Sequence, residues 1–575
     1  MTAREQRSVL SAAPAAPAAP AVPVAPAPAA SAPPGSAAPA GPLRYRRLLV
    51  PLLVLLLLGQ MAVAMVNSAA RQTPTIDEPV YVATATDYLR EHRLRYNPEH
   101  PPLGKLVVMA GVAVADPHYD AAFTGDQGRI GRHLLYESGN DPWRLMLWAR
   151  LPVIALTLLF GLVVLAFARE LAGTAAGVAA LALYAFSPDV IAHGSLATLD
   201  MPATGFVLTS VWLVWRARRR PALYVPLAGA ALGAAVATRM SALPAVPVLM
   251  LLAAWSVWHA RRSRGRSAAR REAAGAAVAV VLVAVAVVWA AYLAVDPRLR
   301  FTPAEAVPDV GGIHGLLVEL LPFPDAFRAG MRVQFAFEDY PWQGYLFGRV
   351  YTGSLWYYLP VALLVKTPLG TLALWAGGAV VLVAVRRLRP AAPYVLLPPA
   401  VLLAAAMTGS RDFGTRYALF MPVFLAVAAG GVLAVRRRWA PWVTGALVMF
   451  VAVSSLRTYP YYLPYSNEAF GGPEQTRLRL HDSNVDWGQD LGRLADRLKR
   501  RYPGERVWLV YKGSGVPSYY GVHGSDPRGV PPGEVRGLLV VSDSSAAKAR
   551  GSLAELIRTS RPIDDVGHSI TIYRR

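Results

Sequence analysis

The sequence predicts a polytopic α-helical membrane protein with a small α/β domain at its C-terminus. Of its 575 residues, 54% are hydrophobic and 16% are charged, and the mean hydropathy is +0.34, which is too apolar for an ordinary soluble enzyme. The net charge of +22 comes from short arginine clusters between apolar runs. Because these clusters lack an amphipathic face with interleaved aromatic residues, we interpret them as topology signals and predict no nucleic-acid partner.

The first 42 residues differ from the rest of the chain in composition. They consist mainly of Ala, Pro, Ser and Gly, which favour extended conformations and offer no periodic apolar face to bury. We therefore predict a disordered cytoplasmic tail over 1–42. The run "LLVPLLVLLLLGQMAVAMV" that follows has roughly 20 residues, enough to cross a bilayer, and it begins too far along the chain for a secretory signal peptide.

Ten further apolar runs bring the prediction to about eleven transmembrane helices within a membrane region over residues 43–456. The runs lie near 145–168, 171–187, 202–215, 222–238, 241–258, 273–294, 369–385, 393–409, 417–435 and 440–456. With a cytoplasmic N-terminus, this count places every arginine cluster on the cytoplasmic side, as the positive-inside rule requires. The clusters are Arg44–Arg47, Arg216–Arg220, Arg261–Arg271, Arg386–Arg389 and Arg436–Arg438.

This topology exposes polar segments on the extracytoplasmic side of the membrane. They are the loops 67–144 and 296–354 and the segment from 457 onwards. The short links 188–201 and 410–416 emerge on the same side. The loop 296–354 is rich in aromatic residues, Gly and Pro, and its apolar runs are too short to cross. We expect interfacial helices and a lid there, with Trp and Tyr in an interfacial belt.

The stretch "IDEPVYVATATDYLREHRLRYNPEHPPLGKLV", residues 76–107, is the most informative part of the first external loop. Thr75 and Glu78 have capping-box spacing, and apolar residues recur after them at helical intervals. In an open alternative, both residues are structural: Glu78 only caps the helix, and Asp77 only occupies a favourable position in its first turn. The His-Pro-Pro-Leu-Gly bend that follows is rigid and non-helical, and it delivers Lys105 to the start of another apolar run.

An Asp-Glu pair after the first span, followed by "HPPLGK", resembles the first external loop of the protein O-mannosyltransferases and their bacterial relatives. These enzymes belong to the GT-C superfamily of lipid-carrier-dependent glycosyltransferases, which also includes the aminoarabinose transferases acting on lipid A. The resemblance continues through "SPDVIAHGSLATLDMP" (187–202), "KTP" (366–368) and "RY" (416–417), and it covers roughly residues 45–460.

The resemblance implies a polyprenyl-phosphate-sugar donor, and it implies that Asp77 is the catalytic base in a reaction that inverts the anomeric carbon. A sugar leaving from a phosphate needs no proton on its leaving group, so one carboxylate can suffice. Adjacent helical residues diverge by about 100°, so we assign Glu78 an orienting or sugar-binding role. Asp200 matches a second acidic position of the superfamily, and we assign it, with His100, to substrate binding; a helix-terminus role for Asp200 is the alternative.

Lys105, Lys366 and Arg416 are the cations that we expect to bind the lipid phosphate. Each lies at an external membrane boundary, where an ionisable residue is costly without a partner. Snorkelling to headgroups is the alternative, and it is favoured more strongly for Arg239 and Arg411.

No metal site or cofactor is predicted, since the scattered histidines lack ligand spacing, although a divalent cation stays an open alternative. The absence of cysteine excludes thiolate sites.

Residues 457–575 alternate between helical and strand-like patterns, which predicts an extracytoplasmic α/β domain. A helix is expected over 488–501, and strands are expected at 506–511, "GLLVVSD" and "SITIYR". The segment "DSNVDWGQDL" is similar to a C-terminal element of some bacterial relatives. It lacks the Gly and Glu of a calcium loop, so we favour capping and acceptor contacts for its polar residues.

Together, the residues and the resemblance predict an inverting glycosyltransferase of a bacterial inner membrane. It would move a sugar, with mannose as one candidate, to a hydroxyl of a protein, lipid or glycan. Its expected partners are the lipid-linked donor, the hydroxyl acceptor and membrane lipids. The alternative is a lipid-linked-sugar transporter or flippase, which would carry charges within its spans or paired broken helices. In this sequence the charged motifs instead gather in external loops.

Overall fold

The computed structural model describes residues 43–575, most of which are helical. The predicted disordered tail, 1–42, lies outside the described residues. Chain contacts place residues 50–575 in one unit, and the boundary falls after Leu49 within the first helix. The C-terminal sheet belongs to the same unit as the membrane helices, so a separate domain over 457–575 stays a prediction.

The first half of the membrane region contains eleven helices among the described residues. In chain order they are α1 (Leu43–Arg71), α2 (Glu78–Glu91), α3 (Pro102–Ala115), α4 (Gln127–Arg132), α5 (Pro142–Ala172), α6 (Thr174–Ala185), α7 (Pro188–Gly194), α8 (Asp200–Ala217), α9 (Pro221–Val236), α10 (Ala245–Arg261) and α11 (Arg266–Val295). Several begin at a proline, which lacks an N–H that the first turn would leave unpaired. Gly205 lets α8 pack on Phe160, because a Cβ there would lie 2.0 Å from the ring.

The second half contains two short helices, a hairpin and five apolar helices. They are α12 (Gly312–Glu319), α13 (Asp325–Asp339), β1 (Gln343–Leu346), β2 (Arg349–Thr352), α14 (Tyr358–Lys366), α15 (Leu369–Ala384), α16 (Ala392–Ala406), α17 (Phe420–Gly430) and α18 (Ala440–Thr458). Strands β1 and β2 pair antiparallel. The loop 296–354 therefore holds two helices, as expected, and also a hairpin that the sequence pattern does not predict.

A helix occupies each of the eleven predicted spans among residues 43–575. By length and composition, six of the described helices can cross a membrane, or up to eight if each bent pair forms one span. The bent pairs are α6 with α7, at 62°, and α14 with α15, at 118°. The class of multi-pass membrane protein is thus confirmed, while the number of eleven spans stays a prediction.

The C-terminal segment combines a mixed four-stranded sheet with short helices. Its elements are α19 (Leu491–Arg501), β3 (Val507–Val510), β4 (Leu538–Ser542), α20 (Asp543–Ala547), α21 (Gly551–Arg558), β5 (Arg561–Val566) and β6 (Ile570–Arg574). The strand order is β3-β4-β6-β5, in which only β3 and β4 run parallel. Alternate residues of β4 pack on opposite faces, with Leu538 in the cluster that contains Leu494 and Leu539 in the cluster that contains Leu556.

Candidate active site

Asp77 and Arg416 meet in the structure, although they lie 339 residues apart in the sequence. Arg416 Nη1 donates a hydrogen bond to Asp77 Oδ2 at 2.5 Å. Asp77 stands at the N-terminus of α2 without capping it through its side chain, and Arg416 lies in a short 3-10 turn before α17. The Asp77 side chain is 27% exposed, against 10% for Arg416, so the carboxylate is the more accessible partner.

Arg416 is held between two aromatic rings. Its guanidinium carbon lies 4.5 Å from the ring centroid of the buried Trp487 and 4.9 Å from that of Tyr417. Arg416 Nη2 also donates to the Tyr417 hydroxyl at 3.1 Å. Such stacking fixes the guanidinium plane and adds cation–π attraction. Trp487 is not among the predicted site residues, although it belongs to the "DSNVDWGQDL" segment.

Backbone hydrogen bonds attach this C-terminal segment to the first external loop. Thr73 N–H donates to Gln489 O at 3.0 Å, and Ile76 N–H donates to Trp487 O at 3.1 Å. The Thr73 hydroxyl adds a bond to Gly488 O at 3.0 Å. We name this contact, between residues 73–76 and 487–489, the loop pairing. It places Asp77 directly after one strand-like segment and Trp487 on the other.

A cavity of about 270 Å³ lies next to the Asp77–Arg416 pair. Asp77 adjoins the cavity through Arg416, which forms part of its wall. The charged and titratable side chains of the wall are His100, Asp200, Arg239, Glu338, Arg411, Arg416 and Tyr417. Apolar side chains such as Met240, Phe335 and Phe420 complete it, so the cavity combines cationic groups with an apolar surface.

Two further arginines, Arg239 and Arg411, reach the cavity, and each has an acidic partner. Arg239, just after α9, forms an ion pair with Asp200 at the start of α8. Arg411 Nη2 lies 3.0 Å from Glu338 Oε1 on α13. The sequence pattern favours snorkelling to headgroups for both arginines, whereas the structure places them on the cavity wall beside Arg416.

His100 lies on the same wall, with its ring edge-to-face against Tyr81 at 5.6 Å. Burial, reinforced by the positive charge of Arg239 and of other cations nearby, holds the pKa of His100 well below its usual range. The imidazole is therefore neutral at physiological pH and can exchange hydrogen bonds without adding charge. Its predicted role in substrate binding stays a prediction that this position supports.

Lys105 and Lys366 do not reach the cavity. Lys105 Nζ donates to Asn97 O at 2.8 Å and to His100 O at 2.7 Å, which closes the bend before α3. Lys366 Nζ donates to Leu463 O at 2.5 Å and lies 3.3 Å from Asp189 Oδ1. Both ammonium groups are buried, and these contacts use their N–H donors. Neither lysine lines the cavity, and the phosphate-binding role of Lys105 and Lys366 stays a prediction.

The carboxylate of Glu78 is likewise buried and hydrogen-bonded within the protein. Its carboxylate accepts hydrogen bonds from the Thr75 N–H at 2.9 Å and the Thr75 hydroxyl at 3.0 Å, from Arg150 Nε at 2.7 Å and Nη2 at 2.6 Å, and from the Ala197 N–H at 2.8 Å. Burial alone would raise the pKa of Glu78, but Arg150 and these hydrogen bonds lower it overall. The structure shows Glu78 as an internal clamp that does not line the cavity, which favours the capping alternative over sugar binding.

The histidines and carboxylates of the described chain form no cluster of metal ligands. Within residues 43–575, no group of three or more His, Asp or Glu side chains is arranged to hold a metal ion. The groups that the candidate site offers to a substrate are the carboxylate of Asp77, the three arginines and neutral His100.

Comparisons with known proteins find one family model that matches the first half of the chain. Residues 54–298 match the family model of the dolichyl-phosphate-mannose-protein mannosyltransferases. No curated protein sequence matches the chain.

Several solved structures are similar to the chain at low identity. ArnT from Cupriavidus metallidurans in the apo state is 14% identical with a TM-score of 0.45, over 93% of this chain and 98% of ArnT. The S. cerevisiae protein O-mannosyltransferase Pmt1-Pmt2 complex bound to the sugar donor is 21% identical with a TM-score of 0.34, over 43% of this chain and 33% of that one. The apo oligosaccharyltransferase of Archaeoglobus fulgidus is 13% identical with a TM-score of 0.40, over 78% and 58%.

The family match covers Asp77 and Lys105 of the first-loop motif, and it also covers Asp200 in the segment 187–202. The match confirms the resemblance of this part of the chain to the protein O-mannosyltransferases.

Proposed function

We propose that the protein transfers a sugar from a polyprenyl phosphate to an acceptor hydroxyl at the extracytoplasmic face of the membrane. The observation that carries the proposal is the pairing of Asp77 with Arg416 beside a cavity that two more arginines line. One carboxylate and a cluster of guanidinium groups are the groups that displacement of a sugar from a phosphate requires.

The three arginines suit a phosphate that must be held as it leaves. Arg411 and Arg416 belong to the link 410–416, Arg239 follows α9, and the three share one cavity wall. Guanidinium groups bind phosphate through paired, charge-assisted hydrogen bonds. The apolar remainder of the cavity offers a surface for the first units of the carrier chain.

In the proposed reaction, Asp77 takes the proton of the acceptor hydroxyl as its oxygen attacks the anomeric carbon. The bond between that carbon and the phosphate oxygen breaks, and the phosphate leaves with the bonding electron pair, stabilised by the arginines. Attack opposite the leaving group inverts the anomeric configuration.

In the structure, Arg416 holds the Asp77 carboxylate. A donor phosphate that takes over Arg416 would release Asp77, so the base becomes free when the donor is bound.

Donor choice tests the proposal. The full-length protein in lipid nanodiscs would be supplied with membrane extract and with either radiolabelled polyprenyl-phosphate-mannose or the corresponding nucleotide sugar. The matching family is named for dolichyl-phosphate-mannose, which makes mannose the first sugar to try. We expect label to enter a protein, lipid or polymer fraction from the lipid-linked donor alone. Transfer from the nucleotide sugar alone would contradict the proposal.

The same assay separates transfer from transport. A flippase would move the labelled lipid between leaflets without forming a new glycosidic bond. The bent helix pairs resemble the broken helices expected of a transporter. The charged residues at the two bends, Lys366 and Asp189, are buried and form an ion pair with each other. Neither of them lines the cavity. Label that crosses the bilayer and stays on the carrier would favour the flippase.

Trp487 is proposed to position Arg416 rather than to contact the reacting atoms. Because a desolvated cation–π contact contributes about 2 kcal/mol, Trp487→Leu is expected to raise the KM for the donor by roughly tenfold or more. Trp487→Phe keeps an aromatic face and should retain most of the affinity. The KM and kcat of both variants would be measured separately. An equal loss in both variants, or a loss in kcat alone, would contradict this role.

A further inference from the structure

A second pocket, distinct from the candidate active site, lies where three membrane-spanning helices end. Its volume is about 710 Å³. Arg71 is the last residue of α1, Trp143 lies in the first turn of α5, and Pro460 follows the end of α18 by two residues. All three helices are long and apolar enough to cross a membrane. The opposite wall is α19, so the pocket lies at the boundary between the membrane and the C-terminal segment.

The lining of this pocket is strongly basic. It contains the four arginines Arg71, Arg493, Arg497 and Arg500. Its one carboxylate is Asp496. Arg71 and Arg500 are exposed, and neither has a hydrogen-bond or ion-pair partner among residues 43–575. Two unpaired guanidinium groups from separate parts of the chain therefore face one pocket.

Arg493 adds an N–H group that lacks an acceptor. Its guanidinium forms an ion pair with Asp490 and lies 5.0 Å from the ring centroid of Tyr461. Its Nη2 atom is nevertheless buried and finds no acceptor within the described part of the chain. A buried donor without an acceptor is costly, so an oxygen-rich ligand that enters here gains a ready partner.

Aromatic side chains from α5 and from the C-terminal segment also line the pocket. Trp143 is 38% exposed and Tyr519 is 46% exposed, and the ring of Tyr520 lies edge-on to Trp143 at 5.7 Å. Gly492 allows α19 to approach Trp143, because a Cβ at this position would lie 2.8 Å from the indole. Exposed Trp and Tyr beside arginine are typical of the headgroup level of a bilayer.

We propose that this pocket binds the phosphate-bearing headgroup of an anionic membrane lipid. The helix ends place the pocket at headgroup depth, the unpaired arginines supply charge and N–H donors for a phosphate, and the volume exceeds that of a phosphate alone. Arg71 by itself would be an ordinary snorkelling residue. Because Arg493 and Arg500 approach from α19, outside the helix bundle, the pocket holds a headgroup from two sides. This inference does not depend on the proposed function.

The headgroup can be tested by native mass spectrometry of the full-length protein released from nanodiscs. Phosphatidylglycerol is the anionic probe, and phosphatidylcholine is the zwitterionic comparison. The double variant Arg71→Gln/Arg500→Gln is expected to retain phosphatidylglycerol about tenfold less well than the wild type, which corresponds to the loss of charge-assisted hydrogen bonds. The matched control is Arg436→Gln/Arg437→Gln, which removes two exposed arginines just before α18, at the other end of that helix. It should retain the lipid as the wild type does.

Three results would overturn the proposal. They are equal losses in the pocket variant and the control, equal retention of phosphatidylcholine and phosphatidylglycerol by the wild type, and displacement of the lipid by soluble glycerol 1-phosphate at a similar concentration. The last result would identify a site for soluble phosphate esters. Thermal unfolding in phosphatidylcholine nanodiscs shows whether the double variant is folded, and Arg71→Lys/Arg500→Lys, which keeps both charges, should recover part of the retention.

Discussion

Asp77→Asn is expected to abolish sugar transfer. Asparagine keeps the shape of the side chain and its place beside Arg416, but it cannot accept the proton of the acceptor hydroxyl. General-base catalysis contributes about 10²–10⁴-fold in rate, so kcat should fall by at least about two orders of magnitude. A single-turnover measurement with polyprenyl-phosphate-mannose would report the chemical step directly.

The matched control is Asp116→Asn, in the same external loop. Asp116 is exposed and forms a surface ion pair with Arg90, and such pairs contribute little to stability. This variant should therefore keep the wild-type rate. Full activity in a folded Asp77→Asn protein would exclude Asp77 as the base, and an equal loss in both variants would show that neutralising any carboxylate of the loop is harmful.

The largest expected effect on stability comes from Glu78→Ala. The substitution leaves the guanidinium of Arg150 buried without its carboxylate, and it removes the acceptor for Thr75 and Ala197. Breaking one side of a buried ion pair costs about 3–5 kcal/mol. The free energy of unfolding in detergent, measured by denaturant titration, should fall by about this amount.

Two comparison variants show whether the loss of stability is specific to the buried pair of Glu78 and Arg150. Glu137→Gln alters an exposed ion pair with Arg132 and should change the free energy of unfolding by less than about 1 kcal/mol. The double variant Glu78→Met/Arg150→Met replaces both charges by apolar groups and should recover much of the loss. A Glu78→Ala protein as stable as the wild type would show that the clamp contributes nothing to stability.

The sequence is most informative where one physical signal dominates. Long apolar runs form helices because only helices satisfy their backbone within a membrane, and β3, β4 and β6 follow apolar patterns that only a buried strand explains. Strand β5 escapes prediction because "RPIDDV" is charged. It lies at the edge of the sheet, where charged side chains are tolerated.

Two properties of the candidate site cannot be predicted from the sequence. They are the direction in which a side chain points and the contacts between segments that are remote in sequence. The motif around Lys105 predicts a bend and the apolar run that follows it. It does not show that the Lys105 ammonium group turns inward to backbone carbonyl groups. Arg239 and Trp487 come close to Arg416 only through the packing of segments that are remote in sequence. No local pattern distinguishes a snorkelling arginine from one that lines a cavity.

The loop pairing also constrains how the protein is made. Thr73 and its partner Gly488 are separated by 415 residues, so the first loop is synthesised long before its partner segment leaves the ribosome. Until then, Asp77 has neither its backbone anchor nor the indole that supports Arg416. Most of the chain is therefore synthesised before the candidate site can assemble, and the proposed activity requires that the late segment has closed onto the early one.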